Sequence, residues 1–226
     1  MPKEMWGNAP SVFQFDWSAK MGQTLVTVPK LRFSEPRRNL PGRNGTATVE
    51  DRFTIAFMRA YLLQAPLIHS GALRTQMAFA REIPVNGYGI ADLMVVVWQR
   101  PPGETFTDVA SFARIAKPCT RAFESKLTDW RRAMSQASRY RFFSNQAVVV
   151  LPPAVAQRAI PFLDTFRKIK VGLWSFCPDS DRIRAYFTPR AAAAKSAKYY
   201  INAIGLVSLA ATQALPIAQK GRVKPA

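Results

Sequence analysis

Three charged residues stand in apolar parts of the sequence where exposure to solvent does not easily explain them: Asp92, Glu124 and Lys126. Charges inside an apolar core are costly unless they are paired or bind a metal. Side chains two residues apart on a strand point the same way, so Glu124 and Lys126 share one face, and an adjacent strand can place Asp92 beside them. Two carboxylates near an ammonium group predict a site for a hard divalent cation.

Such a site suits the hydrolysis of phosphodiester bonds. Mg²⁺ prefers oxygen ligands and usually takes only one or two carboxylates from the protein, and Asp92 and Glu124 would supply them; Mn²⁺ is the other candidate. The cation lowers the pKa of a water molecule, which becomes the nucleophile. Lys126 could orient that water or stabilise the negative charge that develops in the transition state.

The composition excludes several other kinds of site. The chain of 226 residues has one histidine, His69, and two cysteines, Cys119 and Cys177. A zinc cluster of Cys and His ligands therefore cannot form, and a disulfide framework is not expected. We interpret His69, which follows an apolar helical stretch, as a surface or helix-end histidine. Both cysteines are expected to be buried thiols in a reducing cytoplasm.

The charge balance predicts a polyanionic partner. Lys and Arg number 32 against 14 Asp and Glu, which gives a net charge of +18. Contacts from Lys and Arg to phosphates supply affinity without reading the base sequence. The segment after Lys126 is rich in basic residues, and we expect four of them to bind nucleic acid: Arg131, Arg132, Arg139 and Arg141. Trp130, Tyr140 and Phe142 could stack on bases, although such aromatic residues are more often part of the core.

Hydrophobic periodicity, caps and turn residues predict the elements that position these side chains. The expected elements are a helix over 49–64, a hairpin of strands 74–84 and 90–98, a helical insertion at 108–115, a strand over 121–125, a helix over 128–143, a strand over 147–151, a helix over 152–160 and a strand over 171–176. This order predicts an α/β sandwich in which helices flank a central mixed sheet.

The chain divides into three parts by composition. Residues 1–47 are expected to form a basic extended arm, 48–185 the α/β domain, and 186–226 an alanine-rich helix with a short basic tail. The first residues lack the continuous apolar stretch of a signal peptide, and the uncharged segment 201–219 is interpreted as a buried helix rather than a membrane span. We therefore expect a cytoplasmic protein associated with the nucleoid, with no membrane partner; a homo-oligomer remains an open alternative.

Two short motifs carry a resemblance to a known family. The first places Asp92 early in an apolar strand after Gly89, and the second is the E-x-K pattern of Glu124 and Lys126. Together they resemble the PD-(D/E)XK nuclease superfamily, which implies the restriction-endonuclease-like fold. Alanine precedes Asp92 where the family name has proline. The spacing from Asp92 to Glu124 is longer than in compact members, and the insertion at 99–118 would account for it.

A third motif follows in the next helix, where Gln136 and Tyr140 are four residues apart and share one helical face. This Q-x-x-x-Y spacing resembles the RecB-type branch of the superfamily and implies that both side chains help to hold the metal site or the DNA strand. Some members have a glutamate in the first helix that completes the metal shell, and Glu50 could take this role. Alternatively, Glu50 is a first-turn glutamate favoured by the helix dipole.

The expected function is that of a Mg²⁺-dependent deoxyribonuclease acting on DNA, with RNA not excluded. One alternative is a catalytically silent DNA-binding protein with the nuclease fold. The other is a basic structural or assembly protein in which the α/β pattern brings these residues together by coincidence. The sequence leaves open whether cleavage is endo- or exonucleolytic and whether the substrate is duplex or single-stranded.

Overall fold

The elements of the fold follow one another in the expected order. A computed structural model describes residues 48–64, 69–70, 73–100 and 108–213. The elements are α1 (Val49–Gln64), β1 (His69–Ser70), β2 (Leu73–Val85), β3 (Gly89–Arg100), α2 (Val109–Ile115), β4 (Cys119–Ser125), α3 (Trp130–Tyr140), β5 (Gln146–Leu151), α4 (Pro153–Ala159), a 3₁₀ turn (Ile160–Phe162), α5 (Leu163–Ile169), β6 (Val171–Cys177), β7 (Arg182–Phe187) and α6 (Ala197–Gln213). The expectation of an α/β fold with helices flanking a mixed sheet is confirmed.

The described strands form one sheet in which their spatial order equals their order along the chain. The pairs from β1 to β4 are antiparallel, β4 to β5 and β5 to β6 are parallel, and β7 is antiparallel to β6. Parallel neighbours need a crossover connection, which α3 supplies between β4 and β5 and the helices α4 and α5 supply between β5 and β6. The middle of the sheet is therefore mixed.

Local chemistry explains where the elements near β3 begin and end. The hairpin turns through Gly87 (φ +81°) and Gly89 (φ +101°), which adopt backbone angles that other residues rarely tolerate. Helix α1 begins with a capping box, since Thr48 Oγ1 accepts from the Asp51 N–H at 3.1 Å and Asp51 Oδ2 accepts from the Thr48 N–H at 2.9 Å. The Asp129 carboxylate caps α3 by accepting from the Arg132 N–H at 3.0 Å.

Apolar side chains cover both faces of the sheet. On one face, Phe57 and Phe123 lie in a cluster that α1 closes. On the other, Met94 and Val149 pack against residues of α3, α4, α5 and α6. Alternate residues of β3 and β4 point to these two clusters, as the two-residue period of a strand requires. Asp92 lies near the start of β3 and Glu124 near the end of β4, whereas Arg121, in the middle of β4, is buried and donates to Gln146 and Tyr61.

Several expectations differ from the structure in detail. Helix α5 and strand β7 were not expected, because Leu163–Ile169 is too short for a clear helical period and Arg182–Phe187 is exposed and basic. His69 lies in strand β1 and not at a helix end, since α1 stops at Gln64. Cys119 and Cys177 are free thiols, as expected, but both are half-buried rather than buried.

The expected arm at 1–47 lies outside the described residues, as does the tail after 213. Helix α6 packs mainly against β2, and it also contacts β3 and α2. Among the helices of the described ranges, none is long and apolar enough to cross a membrane.

Candidate active site

A row of three acidic residues crosses the sheet at one end of β3. The last residue pair between the antiparallel strands β3 and β4 is Leu93 with Phe123. Asp92 precedes Leu93 and Glu124 follows Phe123, so these two residues lie opposite each other. On the other side of β3, the pairs flanking Glu82 set it opposite Asp92 in the same way. The sheet therefore brings Glu82, Asp92 and Glu124 side by side at a point where regular pairing stops.

Backbone geometry holds the Asp92 carboxylate at this position. Its Oδ2 accepts a hydrogen bond from the Ser125 N–H at 2.7 Å. The side chain thus takes a backbone donor of the residue that follows Glu124. This contact anchors Asp92 directly beside the E-x-K segment.

Glu124 is the most deeply buried carboxylate of the site, with 1% of its surface exposed. The Tyr140 hydroxyl lies in hydrogen-bond contact with Glu124 Oε2 and donates to the Ile90 carbonyl oxygen at 2.5 Å. A hydroxyl carries one proton, so Tyr140 cannot donate to both acceptors at once. When Glu124 is protonated it can donate to the Tyr140 oxygen, and all three groups are then satisfied.

Lys126 follows the end of β4, and its ammonium group joins two elements. Its Nζ lies 3.1 Å from Glu50 Oε1 on α1 and 3.5 Å from Glu124 Oε1 on β4. The Lys126 side chain is 18% exposed and that of Glu50 is 37% exposed. The ammonium therefore reaches from the buried carboxylate to the edge of the solvent.

Burial sets the protonation of the two carboxylates. Burial raises the pKa of Asp92 to about 6. The hydrogen bond from the Ser125 N–H and the charge of Lys126 lower this pKa, and the charge of Glu50 raises it. Burial also raises the pKa of Glu124 to about 7, and the charge of Asp92 raises it further. The contacts of Glu124 with Tyr140 and Lys126 lower this pKa. Two carboxylates that repel each other out of water resist ionisation.

The basic and phenolic groups of the site respond to the same carboxylates. Burial lowers the pKa of Lys126, but the charges of Glu124, Asp92 and Glu50 outweigh burial and raise it above its ordinary value. Burial and the Glu124 charge raise the pKa of Tyr140. Near neutral pH, Lys126 is therefore a cation and Tyr140 keeps its proton.

These groups line a cavity of about 620 Å³ between the start of α1, the start of β3 and the α3 helix. Its lining is mainly polar and carries charges of both signs. The lining residues are Glu50, Asp51, Thr54, Arg81, Glu82, Ile90, Asp92, Glu124, Lys126, Thr128, Asp129, Arg132 and Gln136. A cavity of this size admits a phosphate group with its neighbouring sugar.

Two buried polar atoms of lining residues lack a hydrogen-bond partner within the protein: Arg81 Nε and Gln136 Oε1. The Arg81 side chain is 12% exposed and makes long ion pairs, at 3.7 Å to Asp51 and 4.0 Å to Glu82. A buried donor or acceptor without a partner is costly. Both atoms are therefore suited to contact a ligand in the cavity.

The protein supplies few metal ligands of its own here. In the described part of the chain, no group of three or more His, Cys, Asp or Glu side chains could hold a metal ion. Asp92, which is half-buried, and Glu124, which is buried, are two neighbouring carboxylates on adjacent strands. This donor set matches Mg²⁺, which usually completes its octahedron with water and phosphate oxygens.

The structure places the predicted site residues as follows. Asp92, Glu124, Lys126, Glu50 and Gln136 line one cavity, and Tyr140 contacts it through Glu124. Among the four arginines expected to bind nucleic acid, Arg132 lines the cavity and Arg139 lies near the hairpin, with Nη2 3.7 Å from where a Cβ on Gly89 would be.

The other two arginines of that group are elsewhere. The Arg131 guanidinium lies 4.3 Å from the centre of the Trp130 ring, and Arg141 Nη1 donates to the Ile169 carbonyl at 3.3 Å. Arg132, Gln136 and Tyr140 are spaced by four residues, so one face of α3 meets the site. Arg131 projects from a different face.

Sequence reasoning missed Arg81 as a site residue and gave Glu82 no role. The signal for both was a pair of adjacent charges in the middle of a strand, between Ala80 and Ile83. Glu82 also has φ +52°, which breaks the alternation that a strand pattern assumes. The sequence did not identify Asp51 and Asp129 as site residues, because helix capping alone explains an acidic residue at those positions.

No protein-family model matches this chain, and no curated protein matches it either. The functional interpretation therefore rests on the residues and the geometry of the site.

Proposed function

We propose that the protein is a metal-dependent deoxyribonuclease with Asp92, Glu124 and Lys126 as its active centre. The observation that carries the proposal is the pairing of the buried Glu124 carboxylate with the half-buried Asp92 carboxylate, both with a raised pKa, beside an ammonium group 3.5 Å from Glu124 Oε1. A structural ion pair needs only one carboxylate per cation. Strongly perturbed carboxylates that share a polar cavity are typical of functional sites.

The residues present fit a hard divalent cation, Mg²⁺ or Mn²⁺. Asp92 and Glu124 would hold it, since a cation removes the repulsion that raises both pKa values. Gln136 offers a further oxygen, because its Oε1 lacks a partner. When bound, the cation would supply Lewis-acid stabilisation of phosphate charge and a lowered pKa for an attacking water.

The chain's own groups orient and stabilise the reacting phosphate. The Ser125 N–H fixes Asp92, and the Tyr140 hydroxyl fixes Glu124. The Lys126 ammonium can stabilise the negative charge that develops on phosphate oxygens during attack. Since Lys126 is protonated near neutral pH, its role is that of a cation or proton donor rather than of a general base.

The order of the motifs supports membership of the PD-(D/E)XK superfamily as part of this proposal. A hairpin carries Asp92, the next strand carries Glu124 and is followed directly by Lys126, and the next helix carries Gln136 and Tyr140. A role for Glu50 as a third ligand would require its carboxylate to leave the ion pair with Lys126.

The charge of the molecule supports DNA as the substrate. A net charge of +18 on 226 residues favours a long polyanion, and the nucleoid is the cytoplasmic location where such a partner is abundant. Arg132 lines the cavity and Arg139 lies at the hairpin, and in this proposal both would contact phosphates of the DNA.

One observation favours a second candidate, a DNA-binding protein that does not cleave. Lys126 bridges Glu50 and Glu124, and this ion-paired arrangement could be the resting state of a site that has lost its metal. In that case, the charge of the molecule would still bind DNA, but the cavity would remain a structural cluster.

A cleavage assay tests the proposal. Plasmid, linear duplex and single-stranded DNA are incubated with the wild-type protein and with Mg²⁺, Mn²⁺ or EDTA. We expect cleavage with either metal and none with EDTA. Lys126→Ala should lower the rate by about 100-fold or more, because it removes a charge at the reacting phosphate.

Lys168→Ala is the matched control, since Lys168 is an exposed lysine on α5 outside the cavity lining. Its rate should equal that of the wild type. Cleavage that persists in EDTA, or that Lys126→Ala leaves unchanged, would contradict the mechanism. Binding of DNA without cleavage under every metal condition would favour the second candidate.

A further inference from the structure

Three aromatic rings from three separate parts of the chain meet at the tip of the β2–β3 hairpin. Tyr88 in the hairpin turn stacks on Phe142 after α3, with ring centres 4.5 Å apart and planes 26° apart. Tyr199 on α6 packs edge-on against Tyr88 at 4.7 Å. All three rings are half-buried, and we call them the aromatic ledge. Trp130 and Tyr140, the other candidates for stacking, are buried in the core.

Two exposed lysines lie over the outer rings of the ledge. Lys195 Nζ lies 4.8 Å from the centre of the Phe142 ring, and Lys198 Nζ lies 5.9 Å from that of Tyr199. Each is a cation–π contact made by an exposed residue to a half-buried ring. When a base stacks on the ring in place of the ammonium group, the same lysine can pair with a phosphate of the bound strand.

Two of the three chain segments that carry the ledge are basic and contain no acidic residue. Residues 130–163, which include Phe142, and residues 182–213, which include Tyr199, contain no Asp or Glu but several Lys and Arg. A combination of half-buried aromatic rings and nearby cations suits a single nucleic-acid strand, whose bases stack while its phosphates pair with the cations. A duplex buries its base faces and cannot use the rings in this way.

The hairpin tip connects the ledge to the cavity. Tyr88 is followed by Gly89, which packs beside Arg139 and Tyr140, and by Ile90, which lines the cavity. Asp92 is four residues beyond Tyr88, a distance of about 13 Å along a strand. That distance corresponds to about four nucleotides stacked at about 3.4 Å each.

We propose that the aromatic ledge binds an unpaired base of the same DNA strand whose phosphodiester bond lies in the cavity. This inference rests on the proposed nuclease function and makes it specific, because it names single-stranded DNA or a single-stranded end as the substrate. Lys195, Lys198 and Arg139 bind the phosphates between the stacked base and the cleaved bond.

Binding measurements in EDTA test the ledge apart from catalysis. The full-length protein is titrated against a fluorescently labelled single-stranded oligonucleotide and against the same sequence as a blunt duplex. Tyr88→Leu and Phe142→Leu keep apolar volume but remove the ring. Each should raise the Kd for the single strand by about ten-fold, as the loss of one stacked base does, and leave duplex binding within about two-fold.

Two controls separate stacking from folding. Tyr88→Phe keeps the ring and should bind the single strand like the wild type. Phe162→Leu removes a ring that is 41% exposed and also lies near an arginine, Arg131 at 5.3 Å, but is not part of the ledge. It should leave the Kd unchanged. Unfolding temperatures of all variants show whether the core is intact.

A probe in the DNA keeps the test decisive if a leucine variant does not fold. A strand carrying 2-aminopurine is bound to the wild-type protein, and stacking on the ledge should quench its fluorescence at a position about two to four nucleotides from the cleaved bond. Equal single-strand affinity of the leucine variants and the wild type, or no quenching at any position, would overturn the inference. Cleavage without base binding at the ledge would contradict the ledge and leave the nuclease proposal intact. Base binding at the ledge without cleavage would contradict the nuclease proposal.

Discussion

The Glu124 carboxylate is almost entirely out of water, yet it lies within reach of a second carboxylate and an ammonium group. An apolar side chain at this position would join the core without any of these costs. Burial raises the pKa of Glu124 to about 7 and that of Asp92 to about 6. In the metal-free protein, both side chains therefore resist the ionisation that binding of a cation would require. A site of this kind sacrifices stability for function.

The raised pKa values predict how the stability of the metal-free protein depends on pH. The folded state holds protons on Asp92 and Glu124 more tightly than the unfolded state, where the ordinary values are 3.8 and 4.5. The stabilisation is complete below those values and is lost as the pH rises through the folded-state values of about 6 and 7. The free energy of unfolding in EDTA should therefore decrease from pH 4.5 to pH 7.5.

The double variant Asp92→Asn with Glu124→Gln supplies the reference, because neither amide titrates in this range. Chemical denaturation across the pH series should show a weaker decrease for the double variant, which should also be the more stable protein at pH 7.5. An equal pH dependence in both proteins would show that these carboxylates titrate normally.

The types and positions of the three central residues could be predicted from the sequence, since charges in apolar strands have few structural explanations. Their neighbours could not. The contact of Tyr140 with Glu124 depends on how α3 packs against β3 and β4, and the row of Glu82, Asp92 and Glu124 depends on strand register. Register and helix packing are tertiary properties that local periodicity does not determine.

At the scale of elements, β2 shows a local irregularity at the site. Glu82 adopts φ +52°, although the residues on either side of it pair regularly with β3. A left-handed conformation costs a residue with a side chain about 1–2 kcal/mol and costs glycine little. The strand bears this cost at the position opposite Asp92, where the ladder opens into the cavity. Strain of this kind is typical of functional sites.

The positive φ of Glu82 predicts that two substitutions at this position differ in their effect on stability. Glu82→Gly and Glu82→Ala both remove the carboxylate, but only glycine accepts the positive φ without strain. The glycine variant should therefore be more stable than the alanine variant by about 1 kcal/mol. Chemical denaturation of the two proteins gives this difference directly.

Lys170 provides a matched pair away from the site, since it ends α5 at φ +57°. Lys170→Gly should exceed Lys170→Ala in stability by a similar amount. A difference at Lys170 but none at Glu82 would mean that β2 relaxes when the Glu82 side chain is removed.

The elements themselves were predictable to different degrees. Helix α1 and the hairpin have clear periods, a cap and turn glycines, so their bounds agree closely with expectation. Helix α5 has seven residues and strand β7 alternates exposed arginines with half-buried residues, so neither has the apolar run by which buried elements are recognised. Both are held by contacts with β6, which a local pattern does not contain.

At the scale of the whole molecule, acidic residues are concentrated at one place in a basic protein. In the described ranges, six of ten acidic residues line the cavity. They are Glu50, Asp51, Glu82, Asp92, Glu124 and Asp129. Among the described residues outside the cavity lining, Lys and Arg outnumber Asp and Glu. In the proposed nuclease, the positive surface would attract the DNA strand, while the negative cavity would raise the local concentration of divalent cations.

This separation of charge makes metal binding the central claim. Manganese is a direct probe, since Mn²⁺ can replace Mg²⁺ at oxygen sites and its electron paramagnetic resonance signal diminishes when it binds to protein. Titrations use the wild type, Asp92→Asn, and Asp164→Asn as a control at a carboxylate that is 84% exposed and outside the cavity lining. Each is measured at pH 8, with and without a single-stranded oligonucleotide.

We predict that the wild type and Asp164→Asn each bind Mn²⁺ at the cavity and that Asp92→Asn loses this binding by at least about ten-fold in affinity. Oligonucleotide should tighten the binding in the first two proteins, because phosphate oxygens complete the coordination. Equal Mn²⁺ affinity in all three proteins, or none in the wild type with oligonucleotide present, would contradict the assignment of Asp92 and Glu124 as a metal site.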